Sequence, residues 1–87
     1  MLLDVINVQA RPDFSMIIEF ENGEQRYFNM APYIKQKPWA VLTMEDKFLK
    51  AFVSNGTVSW QGNIDIDPET LYEYSVTLEK QVPAKVT

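Results

Sequence analysis

The chain contains no cysteine and no histidine among its 87 residues. Without cysteine there are no disulfide bonds and no thiolate nucleophiles, and without either residue type there is no zinc site of the cysteine–histidine kind. A mechanism that needs a histidine base is excluded as well, so the serines and threonines have no histidine to activate them. We therefore expect a protein that is not an enzyme, with no catalytic residues and no cofactor.

Long apolar runs are also missing from the sequence. A membrane-spanning helix needs roughly 18 or more consecutive apolar residues, and no such stretch occurs. The first residues lack the basic start of a signal peptide, and Asp4 interrupts their apolar run. We therefore expect a cytoplasmic protein that has no membrane partner.

Positive charge is scarce, since 8 lysines and arginines stand against 12 aspartates and glutamates, a net charge of −4. Most proteins that bind nucleic acid on their own carry a basic excess, which makes nucleic acid an unfavoured partner for the whole chain. The charge is uneven, because residues 31–54 hold four lysines against two acids while both flanks are acidic. We interpret the middle as a weakly basic helical segment with solvated faces.

A chain of this length forms one domain, because typical domains hold about 100–150 residues. Hydrophobic residues make up 46% of the chain and aromatic residues 13%, which favours a folded core over disorder. We predict a single α+β domain over residues 1–80. Residues 81–87 contain Pro83 and no periodic pattern, so we predict that they form a frayed C-terminal tail.

Two Asn-Gly pairs stand between apolar runs, at Asn22-Gly23 and at Asn55-Gly56. Asn-Gly is the strongest local signal for a β-hairpin, because both residues tolerate a positive φ. The second pair predicts strands over residues 51–54 and 57–60. Together with an N-terminal strand over residues 3–10, the two hairpins predict one small antiparallel sheet.

The first hairpin can be given a register from its alternating apolar side chains. A two-residue loop would put Phe28 on the face away from Met16. A three-residue loop with a bulge at Gly23 places Met16 opposite Phe28, and it also places Phe14 opposite Met30. We predict the second register, because a one-residue slip would turn every apolar side chain to the other face.

Side-chain alternation predicts two faces for this sheet. In the first strand the residues that share one face are Ile6, Val8 and Ala10. The second face of the hairpin carries another apolar set, made of Val5, Ile17 and Tyr27. Apolar side chains on both faces of an antiparallel sheet suggest that the second face is covered by a helix or by another chain.

The helical signals are short and interrupted. Ala31-Pro32 starts a turn of helix, and Pro38 prevents its continuation. Thr43 has the features of an N-cap for a helix over residues 43–50, in which acids precede lysines. Asp67-Pro68-Glu69 predicts a further helix with Asp as N-cap and Pro at its first position. Two hairpins with two or three short helices indicate the α+β class.

Two segments contain side chains that could bind an ion or a partner. In the acidic segment 65–69, Asp65 and Asp67 lie on the same side of an extended chain and could hold a hard cation. We favour the alternative, in which Asp67 caps the helix and Asp65 is solvated, so no metal site is predicted. Residues 33–39 interleave aromatic and basic residues, which suits a nucleic-acid strand or an acidic peptide. We favour the alternative that the aromatic residues cover the sheet and the lysines are solvated.

Several motifs occur in a characteristic order along the chain. They are Phe20-Glu21-Asn22-Gly23-Glu24-Gln25-Arg26, then Met30-Ala31-Pro32, Leu42, Phe48, Gly56-Thr57-Val58-Ser59-Trp60 and Ile64-Asp65-Ile66-Asp67-Pro68-Glu69-Thr70-Leu71-Tyr72. This order resembles the bacterial domain-of-unknown-function family 2442 over residues 4–75. The resemblance implies a small α+β domain with an antiparallel sheet, and some members lie in gene pairs that look like toxin and antitoxin. It brings no catalytic residues, and residues 61–63 depart from the turn that many members have.

Our first hypothesis is a non-enzymatic interaction module that binds a small, basic partner protein, such as the product of a neighbouring gene, through acidic faces or a strand edge. The partner-binding residues that we predict are Tyr33, Lys35, Lys37, Trp39, Asp65 and Asp67. A homo-oligomer through a sheet edge or face is a further arrangement. The second hypothesis is an antitoxin-like or transcription-regulatory subunit whose segment 43–50 contacts nucleic acid. A third, a metal enzyme or hydrolase, would need a carboxylate pocket around residues 65–67.

Overall fold

The structure is a computed structural model that describes residues 3–44 and 46–78. The elements in chain order are β1 (Val5–Ala10), β2 (Ser15–Phe20), β3 (Gln25–Asn29), a first 3-10 helix (Trp39–Thr43), a second 3-10 helix (Lys47–Lys50), β4 (Phe52–Ser54), β5 (Thr57–Trp60), β6 (Ile64–Ile66), α1 (Pro68–Tyr74) and β7 (Val76–Thr77). The predicted α+β class is confirmed. The predicted tail, 81–87, lies outside the described residues, so the division into a 1–80 domain and a tail stays a prediction.

The strands form two antiparallel sheets where the sequence predicts one. The four-stranded sheet has the order β1-β2-β3-β7, and the three-stranded sheet has the order β4-β5-β6. The sheets meet where the N–H of Val5 donates to the carbonyl of Gly56 at 2.8 Å. Between them lies Phe48, whose ring contacts Phe14 beside β2 and Trp60 in β5. The buried Phe48 ring belongs to a core that the two sheets share.

The first hairpin has the predicted register, with Met16 opposite Phe28. Its loop contains three residues, because the N–H of Phe20 donates to the carbonyl of Glu24 at 2.9 Å. Gly23 has a φ of 90°, a conformation that only glycine adopts without steric cost. The loop chemistry and the burial of one face therefore select the same pairing.

Phe14 meets Met30 as predicted but lies just before β2. Its carbonyl accepts a hydrogen bond of 2.8 Å from the N–H of Met30. Its φ is 67°, in the left-handed region that costs about 1–2 kcal/mol for a residue with a Cβ. The edge-to-face contact with Phe48, with ring centroids 5.3 Å apart, helps to offset that cost.

The first strand contains a β-bulge that changes its two faces. Val5 lies opposite Phe20 and Asn7 lies opposite Glu19, so Ile6 is an extra residue in the ladder. Val5 is 1% exposed and belongs to the core, whereas Ile6 is 53% exposed. The predictions that Ile6 shares the apolar face of this strand and that Val5 faces the other way are wrong, because the bulge shifts the alternation by one residue.

The middle segment holds two 3-10 helices in place of the predicted helix over residues 43–50. Thr43 ends the first of them, and its hydroxyl donates back to the carbonyl of Ala40 at 2.9 Å. The prediction that Thr43 is an N-cap is therefore wrong. In a continuous α-helix, Leu42 and Phe48 would point about 120° apart. They are 1% and 2% exposed, and between them the chain leaves helical geometry, with Met44 extended and Asp46 in the left-handed region.

The second hairpin and the C-terminal helix form as predicted. The loop Asn55-Gly56 has positive φ at both positions, 53° and 75°, as a tight hairpin turn requires. Pro68 is the first residue of α1, and the carboxylate of Asp67 accepts a hydrogen bond of 3.2 Å from the N–H of Thr70. This bond satisfies one of the N–H groups that every helix start leaves open.

One hydrophobic core joins both sheets and α1. Its buried members are Val5, Met16, Ile18, Phe20, Phe28, Met30, Ile34, Leu42, Phe48, Val58, Trp60, Ile66 and Leu71. Each sheet contributes one face to this core, so each sheet turns its other face away from it.

Candidate functional site

Trp39 and Asp65 are two predicted site residues that the structure brings together. The indole Nε1 of Trp39 donates to the main-chain carbonyl of Asp65 at 3.1 Å. This hydrogen bond ties the start of the first 3-10 helix to β6, while Asp65 itself is exposed. The half-buried indole therefore uses its polar edge to hold the fold.

Tyr33 packs against the sheet, and the lysines after it are solvated. The ring of Tyr33 lies parallel to that of Phe28, with centroids 5.8 Å apart and planes 8° apart. Lys35 and Lys37 are exposed. The aromatic residues of segment 33–39 thus contact the fold, and the basic residues of the segment face solvent.

The acidic segment 65–69 contains a helix cap and a solvated carboxylate. Asp67 is exposed and accepts a hydrogen bond from the N–H of Thr70, and Asp65 is exposed on β6. Within residues 3–44 and 46–78, no three aspartate or glutamate side chains come close enough together to hold a metal ion.

Arg26 is the centre of a polar cluster that the sequence analysis missed. Its Nε donates to the hydroxyl of Ser75 at 2.6 Å and its Nη2 donates to the carbonyl of Ser75 at 3.0 Å. The guanidinium carbon lies 4.2 Å from the ring centroid of Tyr72, and Nη1 lies 3.6 Å from a carboxylate oxygen of Glu24. The Arg26 side chain is only 12% exposed, a depth at which a charge needs such partners.

Glu24 and Tyr72 complete this cluster, and each shifts the pKa of the other. A hydrogen bond from Tyr72, with a second from Asn22, lowers the pKa of the Glu24 carboxyl. The same bond to Glu24 raises the pKa of the Tyr72 hydroxyl. At neutral pH the carboxylate is held charged and the phenol neutral, which makes them a weak base and a weak acid. Through the contact between Arg26 and Tyr72, the cluster links β3 to α1.

The four-stranded sheet turns one face away from the core. Its side chains, termed the outer sheet face, are Gln9, Ile17, Tyr27 and Val76 in one cross-strand row and Asn7, Glu19 and Gln25 in the next. Ile17 and Tyr27 are half-buried and Val76 is 40% exposed. The sequence correctly places Ile17 and Tyr27 on this face. It gives no signal for Val76, because a two-residue strand has no periodicity.

The edges of this sheet are less open than its outer sheet face. In β1 the bulge at Ile6 interrupts the ladder, and the N–H of Val8 is bonded by the side chain of Asn7 at 3.0 Å. The opposite edge strand, β7, has only two residues. Bulges and short edge strands are devices by which proteins prevent the addition of a foreign strand. Both edges of this sheet therefore offer less unpaired backbone than a long, regular edge strand would.

These features define a small α+β domain in which a polar cluster links α1 to β3 and, within the described residues, the outer sheet face lies on the side of the four-stranded sheet away from the core. The model of a family described as "Protein of unknown function (DUF2442)" matches residues 5–77. The chain belongs to this family. No curated protein and no solved structure matches it. None of the helices in the described ranges is long and apolar enough to cross a membrane.

The motifs that carry the family resemblance have structural roles. Gly23 forms the hairpin bulge, and Arg26 of the first motif lies over the ring of Tyr72 in the last. The hydroxyl of Thr57 donates to the carbonyl of Ile66, and the indole Nε1 of Trp60 donates to the carbonyl of Phe48 at 3.0 Å. These motif residues therefore stabilise the fold.

Proposed function

We propose that this chain is a non-enzymatic bacterial protein of the cytoplasm that binds a small partner protein through the outer sheet face. The observation that carries the proposal is the apolar row of Ile17, Tyr27 and Val76, which crosses three neighbouring strands on the side away from the core. An antiparallel sheet with one face in the core usually presents polar side chains on the other. A continuous apolar row in that position indicates a docking surface.

The outer sheet face is large enough for less than half of one partner's share of a stable interface. Its strands hold 6, 6, 5 and 2 residues, which at ~3.4 Å per residue and ~4.8 Å between strands cover roughly 300 Å². Each partner in a stable complex buries about 800 Å². The contact must therefore extend beyond the strands, and Tyr74, which is 64% exposed at the end of α1, provides further apolar surface just before β7.

The charge of the chain favours a basic partner over a second copy. The net charge is −4, and residues 1–30, which supply three strands of this sheet, hold five acids and two bases. Glu19 lies on the outer sheet face itself. A second copy would bring two negative surfaces together, whereas a partner with basic residues around an apolar centre would be attracted.

The test compares the tagged full chain with a double variant, Ile17→Thr with Tyr27→Thr, which keeps strand-forming residues but removes the apolar row. Phe52→Thr is the matched control, because Phe52 is 45% exposed on the other sheet. We expect the native chain and the control to retain the same protein from an extract of the source organism. Isothermal titration with that purified protein should show at least a roughly tenfold weaker affinity for the double variant.

Other outcomes of this experiment would contradict the proposal. Retention that is unchanged in the double variant would exclude the outer sheet face as the binding surface. A chain that retains nothing and stays monomeric by analytical ultracentrifugation would exclude an interaction module. Self-association that only the double variant abolishes would mean that the outer sheet face binds a second copy of this chain and not a partner protein. Circular dichroism and thermal unfolding establish that each variant is folded.

An antitoxin-like or transcription-regulatory subunit that contacts nucleic acid is the alternative proposal, and it has less support. Trp60 is 2% exposed, and Tyr33 and Trp39 are half-buried against the fold, so the aromatic platform on which bases would stack is small. Binding that weakens steeply as salt is added would favour this alternative, and no binding in dilute buffer would end it.

A further inference from the structure

Lys47 and Lys50 line one concave site beside the second 3-10 helix. Residues three apart in a 3-10 helix are eclipsed, so the two side chains leave the helix on the same side. Together with Leu42, Trp60 and Gln61 they line a concavity of about 310 Å³. None of these residues belongs to the outer sheet face, so this is a second and separate site.

The floor of the concavity is formed by buried side chains, one of which is hydrogen-bonded to the backbone between the two lysines. Leu42 and Trp60 are 1% and 2% exposed. The indole Nε1 of Trp60 donates to the carbonyl of Phe48, which lies between the two lysines in the chain and is itself buried. This hydrogen bond fixes the backbone from which both lysines extend. A site that is held in place before its ligand arrives loses less conformational entropy on binding.

The two ammonium groups have no acidic partner in the part of the chain that the structure describes. No carboxylate from that part lines the concavity, and the ion pair formed there joins Arg26 to Glu24 elsewhere in the fold. Asp46, which precedes Lys47, lines a different cavity that it shares with Arg11. Like charges on two side chains that line one concavity repel each other, and an anion bound between them would relieve that repulsion.

We propose that this site binds the phosphate group of a small phosphorylated molecule. Lysine binds phosphate well as a point charge, whereas a planar carboxylate is better matched by the fork of an arginine. The side-chain amide of Gln61 supplies a further donor for a phosphate oxygen. The remaining volume, bounded by Leu42, Trp60 and the lysine stems, accommodates an organic group.

The size and charge of the molecule favour a small ligand over a nucleic-acid strand. The basic excess of residues 31–54 amounts to two charges, and the acidic flanks bring the whole chain to −4. A long polyanion would meet repulsion beyond the site, whereas one phosphate group would not. Phosphate binding here does not depend on the outer sheet face, so either property can exist without the other.

The experiment titrates the full chain with inorganic pyrophosphate and, separately, with adenosine 5′-monophosphate, and follows backbone amides by NMR. We expect saturable shifts for both probes at residues 47–50, Trp60 and Gln61. Lys47→Gln with Lys50→Gln should weaken binding of both probes at least about tenfold, because it removes both charged donors. The control, Lys35→Gln with Lys37→Gln, removes the same charge from exposed positions outside the concavity and should change affinity less than about twofold.

Four results would overturn the proposal. The first is a set of shifts that grows linearly without saturation at millimolar probe. The second is equal weakening in both double variants, which would mean that only long-range charge is sensed. The third is binding of pyrophosphate without the monophosphate, which would leave an inorganic-ion site. The fourth is an oligonucleotide that binds more tightly than the monophosphate and loses affinity in the same variant, which would assign the site to nucleic acid.

Discussion

The two sheets of this molecule each give one face to the core, yet their other faces differ in chemistry. On the four-stranded sheet the central row begins with the polar Gln9 in β1 and continues through three apolar residues, Ile17, Tyr27 and Val76. On the three-stranded sheet the corresponding row consists of Phe52, Ser59 and Asp65. A single exposed phenylalanine beside a serine and a carboxylate is ordinary protein surface, whereas three apolar residues in register across three strands form a patch.

This difference is the reason that we propose the four-stranded sheet as the binding surface. The outer face of the three-stranded sheet serves as the control surface in the binding experiments. Both sheets surround the same core, so the need for stability does not explain why only one outer row is apolar. Four changes test how the two sheets are held together. They are removal of Phe48 between the sheets, removal of Arg26 beside β7, removal of the Asp67 cap of α1, and a change of pH.

The largest effect on stability is expected from removing the Phe48 ring, which packs between the two sheets. Phe48→Ala deletes a ring that contacts Phe14 on one side and Trp60 on the other, and it should lower the free energy of unfolding by about 3–5 kcal/mol. Urea unfolding followed by tryptophan fluorescence measures the loss. Leu49→Ala is the matched control, since Leu49 is 41% exposed and should lose less than about 1 kcal/mol. Equal losses in the two variants would contradict the position of Phe48 between the sheets.

A smaller loss is expected from Arg26→Ala, about 2 kcal/mol, because two charge-assisted hydrogen bonds to Ser75 disappear from a partly buried site. Ser75 precedes β7, so the change should also loosen Val76 at one end of the apolar row. Hydrogen–deuterium exchange should become faster in β7 and stay unchanged in the three-stranded sheet.

Arg11→Ala is the control for the Arg26 variant, because Arg11 is exposed and should change the free energy of unfolding by less than about 0.5 kcal/mol. Exchange that accelerates equally in both sheets would show that the Arg26 cluster does not act on β7 in particular.

The cap of α1 offers a matched pair of carboxylates two residues apart. Asp67→Ala removes the acceptor for the N–H of Thr70 and should cost about 1 kcal/mol in thermal or urea unfolding. Asp65→Ala removes an exposed carboxylate from the row on the three-stranded sheet and should cost less than about 0.5 kcal/mol. If the two variants were equally stable, the capping role of Asp67 would be wrong.

The smallest effect is expected from pH, through Glu24 and Tyr72. Because the hydrogen bond from Tyr72 lowers the pKa of Glu24 from its ordinary 4.5, this carboxylate stabilises the fold above that pH. The stabilisation is lost as the pH falls through the lower, folded-state pKa. Since the pKa of Tyr72 is raised from its ordinary 10.0, its contribution is present below that value and is lost at higher pH.

Urea unfolding of the native chain and of Glu24→Gln over a range of pH tests this assignment. The native chain should be more stable at neutral pH, and the difference should vanish at acid pH once Glu24 is protonated. A difference that is constant down to the most acid pH would contradict the bond between Glu24 and Tyr72.

The parts of the fold that the sequence predicts correctly depend on contacts between near neighbours. Asn22-Gly23 and Asn55-Gly56 determine their own turns, and Asp67 caps the helix that starts one residue later. The bulge at Ile6 and the break in the middle segment depend on which side chains reach the shared core. Alternation and capping rules do not contain that information. The sequence therefore predicts one sheet where there are two, and one helix over residues 43–50 where there are two 3-10 helices.

In the candidate site, too, local patterns place some residues correctly, whereas contacts distant in sequence place the others. Ile17 and Tyr27 follow from alternation within a hairpin, whereas Val76 joins their row only through the pairing of β3 with β7. The Arg26 cluster joins residues 49 positions apart, and no local pattern signals it. Segment 33–39 has a composition that suits binding, but its aromatic residues are used to pack against Phe28 and to bond β6.

Hydroxyl-radical footprinting of the chain alone and in complex with its purified partner tests most directly which sheet carries the interaction. The label reports the solvent exposure of aromatic side chains, and the two sheets carry Tyr27 and Phe52 on their outer faces. We predict that the partner reduces labelling of Tyr27 and leaves labelling of Phe52 unchanged. Protection of Phe52 with unchanged labelling of Tyr27 would contradict the central claim.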